Sequence, residues 1–292
     1  MARRAPLAAT IALGALVAGV AAAPLPALAE TIPLLDNYTG PISIKFQDYE
    51  SFSSTALAPG VQNFGVLNIT GIYAAGGGTL PVNTALWQEG TNSNLPYIAG
   101  VFNGVTISSI SGGVIQNTGG SFALYGVPKL PNFGQGTSGY ATAGCAVGGL
   151  CYDGVSNTGS NALLTMNLVP GADTADPAAT LVATTNGTTV PISGSATGWL
   201  DITGGTAAGQ FGRGGYNTAI GTPADMSLLD DFCANAAGCA GNSATVGDWE
   251  QASDDPVGAS IVTSPVPEPA SLALLGTALL GFGFLRRRRG PE

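Results

Sequence analysis

No histidine occurs anywhere in the 292 residues, and that absence decides most of what the side chains can do. Imidazole-activated serine and cysteine hydrolases, zinc metalloprotease helices and most transition-metal sites each need a histidine as base or ligand. Carboxylates, lysine and tyrosine remain. Asp48, Glu50, Glu89, Asp248 and Glu250 are the acids best suited to work on sugars, with Trp87 and Trp249 close by in sequence as ring platforms. Glycoside hydrolysis asks only for two carboxyl groups about 5 to 9 Å apart. Sequence alone brings no two of these acids together, and singly they read as solvated surface groups.

Other chemical motifs fail on context. Gly134-Gln135-Gly136-Thr137-Ser138-Gly139 matches Gly-x-Gly-x-x-Gly, but a dinucleotide site needs a strand before it and a helix after it. Pro128 and Pro131 precede this one, so it reads as a loop. No Ser-x-x-Lys or Gly-x-Ser-x-Gly occurs, and Asp173-Thr174-Ala175 departs from the Asp-Thr-Gly of aspartic proteases. Asp230-Asp231 and Asp254-Asp255 lack the Asp-x-Asp-x-Asp-Gly loop of a calcium site. The expectation is therefore a non-enzymatic protein with no catalytic residue, cofactor or metal, and the runner-up is a carboxylate-dependent glycan hydrolase.

The four cysteines, Cys145, Cys151, Cys233 and Cys239, allow three pairings. Matched spacings of five intervening residues favour Cys145–Cys151 and Cys233–Cys239. Each bridge closes a seven-residue loop worth about 2 kcal/mol in the chain-entropy account. Zinc is disfavoured, because its ligand pairs are usually two to four residues apart.

The elements that position these groups read as β. Apolar residues alternate in Pro41-Ile42-Ser43-Ile44-Lys45-Phe46-Gln47, as a half-buried strand requires. Similar runs are 64–73, 97–110, 113–116, 121–127, 163–169, 180–184, 198–202 and 258–263. Between them lie Gly76-Gly77-Gly78, Asn117-Thr118-Gly119-Gly120 and the hairpin signal Asn186-Gly187. One helix is predicted, where Thr222-Pro223-Ala224-Asp225 supplies a cap, a first-turn proline and an early acid. Met226, Leu229 and Phe232 would form its buried stripe. The fold class is all-β, sandwich-like or a related antiparallel architecture with one short helix. The Gly-rich stretch near 126–159 is a candidate division between two subdomains of the region 30–263.

Both ends are processing signals. Arg3 and Arg4, an apolar run from Leu7 to Ala23 and the ending Ala27-Leu28-Ala29 make a secretory signal over residues 1–29, cut between Ala29 and Glu30 and used by the Sec machinery. At the other end, Pro267-Glu268-Pro269 leads into an uncharged run over 270–285, read as a transmembrane helix, and then Arg286, Arg287, Arg288 and Arg289 form a cytoplasmic stop signal. This order of parts at the C-terminus resembles the PEP-CTERM sorting domain, over residues 264–289. The resemblance implies a Gram-negative host, recognition by an exosortase at the inner membrane, cleavage near Pro267-Glu268-Pro269, and transport to the cell surface or extracellular matrix. The function it implies is association with exopolysaccharide, adhesion or biofilm and floc structure, with a self-assembling surface subunit as a further alternative.

Between the signals the charge is lopsided. Removing Glu268 and Glu292 from the 18 acids leaves 16, against Lys45, Lys129 and Arg213, a balance of −13. Such a surface repels phosphate backbones, so nucleic acid is excluded as a partner.

Overall fold

The computed structural model describes residues 32, 35–142, 150–190, 192–234 and 249–262. Thirteen strands follow in chain order: β1 (Gly40–Phe52), β2 (Gln62–Ala74), β3 (Ala85–Gln88), β4 (Tyr97–Ser111), β5 (Val114–Thr118), β6 (Ser121–Val127), β7 (Leu164–Leu168), β8 (Leu181–Thr185), β9 (Gly194–Gly204), β10 (Tyr216–Asn217), β11 (Pro223–Ala224), β12 (Met226–Ala234) and β13 (Gln251–Ile261). One short helix, α1 (Ser138–Thr142), joins them.

The eleven-stranded antiparallel sheet closes on itself. Its hydrogen-bonded ring runs β1–β2–β4–β6–β7–β9–β12–β13 and back to β1. The architecture is thus the expected antiparallel all-β class, realised as a barrel. The β5–β8 pair occupies the same slot as β6–β7 at the other end of the barrel. It can do so because β4 bonds β6 through Tyr97–Asn103 and β5 through Thr106–Ser111, while β9 bonds β8 through Gly194–Gly198 and β7 through Leu200–Gly204. Strands from both sides of 126–159 therefore share one sheet.

Period-two alternation fills the lumen. Ile42, Ile44 and Phe46 on β1, Leu67 and Ile69 on β2, Leu200 and Ile202 on β9, and Met226 and Leu228 on β12 belong to the largest apolar cluster. On β9 the intervening Ser195, Thr197, Asp201 and Thr203 face outward, the reverse of a barrel embedded in lipid. Among the described residues no helix is long and apolar enough to cross a membrane.

Part of the outer wall is also covered. Phe64 and Val66 of β2 and Ala99 and Val101 of β4 pack under Tyr140, Tyr152, Val155 and Trp249. The Tyr140 hydroxyl donates to Gly65 O and reaches Phe102 O at 3.2 Å. Gly65 is required by the packing of its neighbours, since a Cβ there would lie 2.2 Å from Tyr49 O and 2.7 Å from the Phe102 ring. The described part of the Gly-rich stretch thus seals β2 and β4.

The helix expected over 222–232 is a strand, and its stripe is corrected accordingly. Met226, Leu228 and Phe232 are buried at two- and four-residue spacing, whereas Leu229, placed on the buried stripe, is 51 % exposed. Asp225 does not cap a helix. Its carboxylate accepts from Ile202 N at 2.9 Å, Gly214 N at 2.8 Å and Arg213 Nη1 at 2.8 Å, fastening β12 to β9. Burial opposes its ionisation, but those donors outweigh it and hold the carboxyl below the ordinary range.

Asp225→Ala strands the buried Ile202 N–H, which costs about 1–3 kcal/mol without an acceptor, while the exposed Gly214 N–H can turn to water. Equilibrium denaturation at pH 7 is expected to show a loss of roughly 2 kcal/mol, and the wild-type advantage is expected to begin fading as pH falls below about 4, where the unfolded chain takes up the proton, and to be gone only once pH passes the lowered value of the folded Asp225 carboxyl.

Candidate functional site

The inward alternation of three adjacent strands changes from apolar to polar at one level of the barrel. On β1 the series Ile42, Ile44, Phe46 continues as Asp48 and Glu50, respectively 7 % and 4 % exposed. On β13 the corresponding level carries Ser253, paired in register with Asp48, and Gln251, paired with Glu50. On β12 it carries Asp230, between Leu228 and Phe232. Asn63 of β2 reaches the same layer, which lies between a cavity of about 70 Å³ in the apolar lumen and a second of about 40 Å³ beyond it.

Oxygens of Asp48, Glu50 and Asp230 all lie within 4.8 Å of one another. The Ser253 hydroxyl donates to Asp48 Oδ1. Asn63 Nδ2 donates to Glu50 Oε2, and Gln251 Nε2 donates to Glu50 Oε1 at 3.3 Å. Burial, followed by the charges of Glu50 and Asp230, pushes Asp48 well above the ordinary carboxylate range, with Ser253 opposing. Burial also raises Glu50, with the Asn63 and Gln251 amides opposing. Among the described residues the one ion pair is Arg213–Asp225, elsewhere in the fold. A layer of acids in an apolar lumen can hold protons or gather a cation.

Of the five acids marked as sugar-active candidates, Asp48 and Glu50 come together. Glu89 accepts from Asn68 Nδ2 at 2.9 Å on the outer wall, Glu250 accepts from Phe52 N at 2.8 Å, and Asp248 lies outside the described residues. The platforms assigned to Trp87 and Trp249 are corrected. Both rings are buried, at 1 % and 2 % exposed, and their Nε1–H groups donate to Leu95 O and Phe133 O. Core packing consumed both faces. The third tryptophan, Trp199, points outward from β9 and is half-buried.

Sequence reasoning missed Asp230, Asn63, Gln251 and Ser253 as partners of Asp48 and Glu50. Asp230 is legible once β12 is read with period two, because it then stands in line with Met226, Leu228 and Phe232. Asp231 faces out and is exposed, since consecutive strand residues alternate sides.

Ala29, Glu30, Pro267, Glu268, Pro269 and Arg286 to Arg289 lie outside the described residues, as do Cys145, Cys239 and the side chain of Cys233. Cys151 carries no free thiol, and each expected pairing includes at least one of those undescribed positions. Residues 265–289 match the PEP-CTERM protein-sorting motif, so the chain is an exosortase-sorted exported protein of a Gram-negative envelope. No curated protein and no solved structure matches it.

Because Asp48 and Glu50 hold protons that the unfolded chain releases, stability from this layer is full near pH 4 and is lost as pH rises toward their raised values. In cation-free buffer the thermal midpoint is expected to fall between pH 4 and pH 7. Asp48→Asn keeps an acceptor for Ser253, and is expected to flatten that slope and raise the pH 7 midpoint by a few degrees.

Proposed function

We propose that the mature chain is a non-enzymatic surface or matrix protein that associates with neutral exopolysaccharide and contributes to adhesion and to biofilm or floc structure. The sorting motif at 265–289 carries this reading, because it points to export into the cell envelope, from which a surface or matrix role follows. The barrel supports it in two ways. The group of three carboxylates found among the described residues faces a lumen whose cavity, about 70 Å³, is far below the roughly 300 Å³ of the smaller organic-ligand sites, so a sugar chain has no room beside Asp48 and Glu50.

The outer wall offers the second support. Thr203 Oγ1 donates to Thr165 Oγ1 at 2.9 Å and Ser121 Oγ donates to Asn167 Oδ1 at 3.0 Å, forming a ladder of hydroxyls and amides across β6, β7 and β9. Trp199 and the exposed Leu229 stand on the same side of β9 and β12, where Trp199 pairs with Ser227 and Leu229 with Thr197. An aromatic face beside hydrogen-bonding groups suits a sugar ring, which has apolar faces and a polar rim.

Exported protein purified from the host is expected to be retained on the host's exopolysaccharide without releasing reducing ends, and Trp199→Ala is expected to weaken retention by about tenfold, a loss of roughly 1.4 kcal/mol. Reducing ends released by wild type and abolished in Glu50→Gln would instead establish the glycan hydrolase. In cells lacking exosortase activity, intact mass is expected to show the Arg286 to Arg289 tail still attached. Equal removal of that tail in both strains would break the link to sorting.

A further inference from the structure

We infer that the acidic layer in the barrel is a binding site for one hard divalent cation, calcium by its donor set, held by Asp48, Glu50 and Asp230, with amide oxygens of Gln251 and Asn63 available to complete the shell. Calcium binds oxygens at about 2.3–2.6 Å, so two donors on opposite sides of one ion stand at most roughly 5 Å apart. The three carboxylates meet that limit, their oxygens lying within 4.8 Å of one another.

The amides provide an independent sign. Gln251 is 2 % exposed and its Oε1 has no hydrogen-bond partner, although its Nε2 serves Glu50. Asn63 repeats the arrangement, with Nδ2 on Glu50 and Oδ1 unpartnered. A buried acceptor left without a donor is costly. Rotation of either amide about its last bond turns that oxygen toward the carboxylates, a position that a cation makes favourable when the carboxylates are ionised.

Charge and volume agree with an ion. Lys45 lies over the Tyr73 ring, 5.4 Å from its centroid, and Arg213 is engaged by Asp225. Lys129 is exposed on the loop after β6, so none of these three basic side chains, the ones among the described residues, is placed on the layer. Cavities of about 70 and 40 Å³ flank it, enough for a few waters of a coordination shell and too little for an organic ligand. With oxygen donors alone, the set favours a hard cation over zinc or copper. Five protein oxygens exceed what magnesium, which keeps several of its waters, ordinarily takes.

The test is calorimetric titration of the full exported protein, stripped with a chelator, with calcium chloride at pH 7, followed by thermal melting with and without the ion. A single saturable site and a rise in the melting midpoint are expected, weakened at least about tenfold by Glu50→Gln and by Asp230→Asn, and unchanged by Asp231→Asn on the outer face. Asp48→Asn guards against loss of fold, because it is expected to melt higher than wild type without calcium yet gain little from its addition. The inference is overturned if wild type shows no saturable calcium binding up to millimolar concentration, if Glu50→Gln and Asp230→Asn bind as wild type does, or if Asp231→Asn abolishes binding.

Discussion

Eleven residues of β1, Gly40 to Glu50, pair without a break to Ile261 through Gln251 of β13, and the rest of the structure depends on that seam. It joins chain segments some two hundred residues apart and converts a sheet into a barrel. Closure removes the two edges that an antiparallel sheet would otherwise present to other chains. It also defines an inside. Because side chains alternate, a slip of one residue along the seam would turn Asp48 and Glu50 outward and bring Lys45 and Gln47 into the lumen. The apolar rows of Ile42, Ile44 and Phe46 on one strand and Val257, Ala259 and Ile261 on the other resist that slip, so the register that buries the core also fixes the position of the acids.

Much of this was legible from alternation. The runs over 41–47, 64–73, 97–110 and 121–127 stand in the barrel as β1, β2, β4 and β6. Closure was not legible, because alternation specifies which side is apolar and not which strand lies beside which. The segment over 222–232 failed for a definite reason. Thr222, Pro223 and Asp225 are good cap residues locally, and Met226, Leu229 and Phe232 suit a 3.6-residue period as well as Met226, Leu228 and Phe232 suit a two-residue one. Tertiary pairing with β9 and β13 decided between them, and the mistaken period hid Asp230 from the site. The tryptophans were misread because a ring beside acids in sequence need not be accessible. Trp87 and Trp249 fill space, whereas Trp199 is left on a polar wall.

The two buried acid environments show what a partner changes. Asp225 receives two backbone donors and a guanidinium, and its charge is favoured. Asp48 and Glu50 receive a hydroxyl and two amides, and both are pushed toward the protonated form. Hydrogen bonds are present in both places. What distinguishes them is the balance between desolvation and donors: desolvation leads at Asp48 and Glu50 and repulsion adds to it at Asp48, whereas at Asp225 the hydrogen bonds from Ile202, Arg213 and Gly214, with the Arg213 charge added to them, outweigh it.

An apolar replacement at these three positions would extend the lumen core without that cost, so the acidic layer is a poor way to build a barrel for stability alone. Its geometry is nevertheless specific. Asp48 and Glu50 sit two apart on β1, Ser253 and Gln251 face them across the seam, and Asp230 arrives from the next strand, all at one level between apolar layers. Repulsion among the acids is a local defect when the layer is empty and a binding energy when a cation fills it. A surface protein built in this way would couple its folding to the ions of the medium into which it is exported, while the polar wall bearing Trp199 remained free to meet polymer.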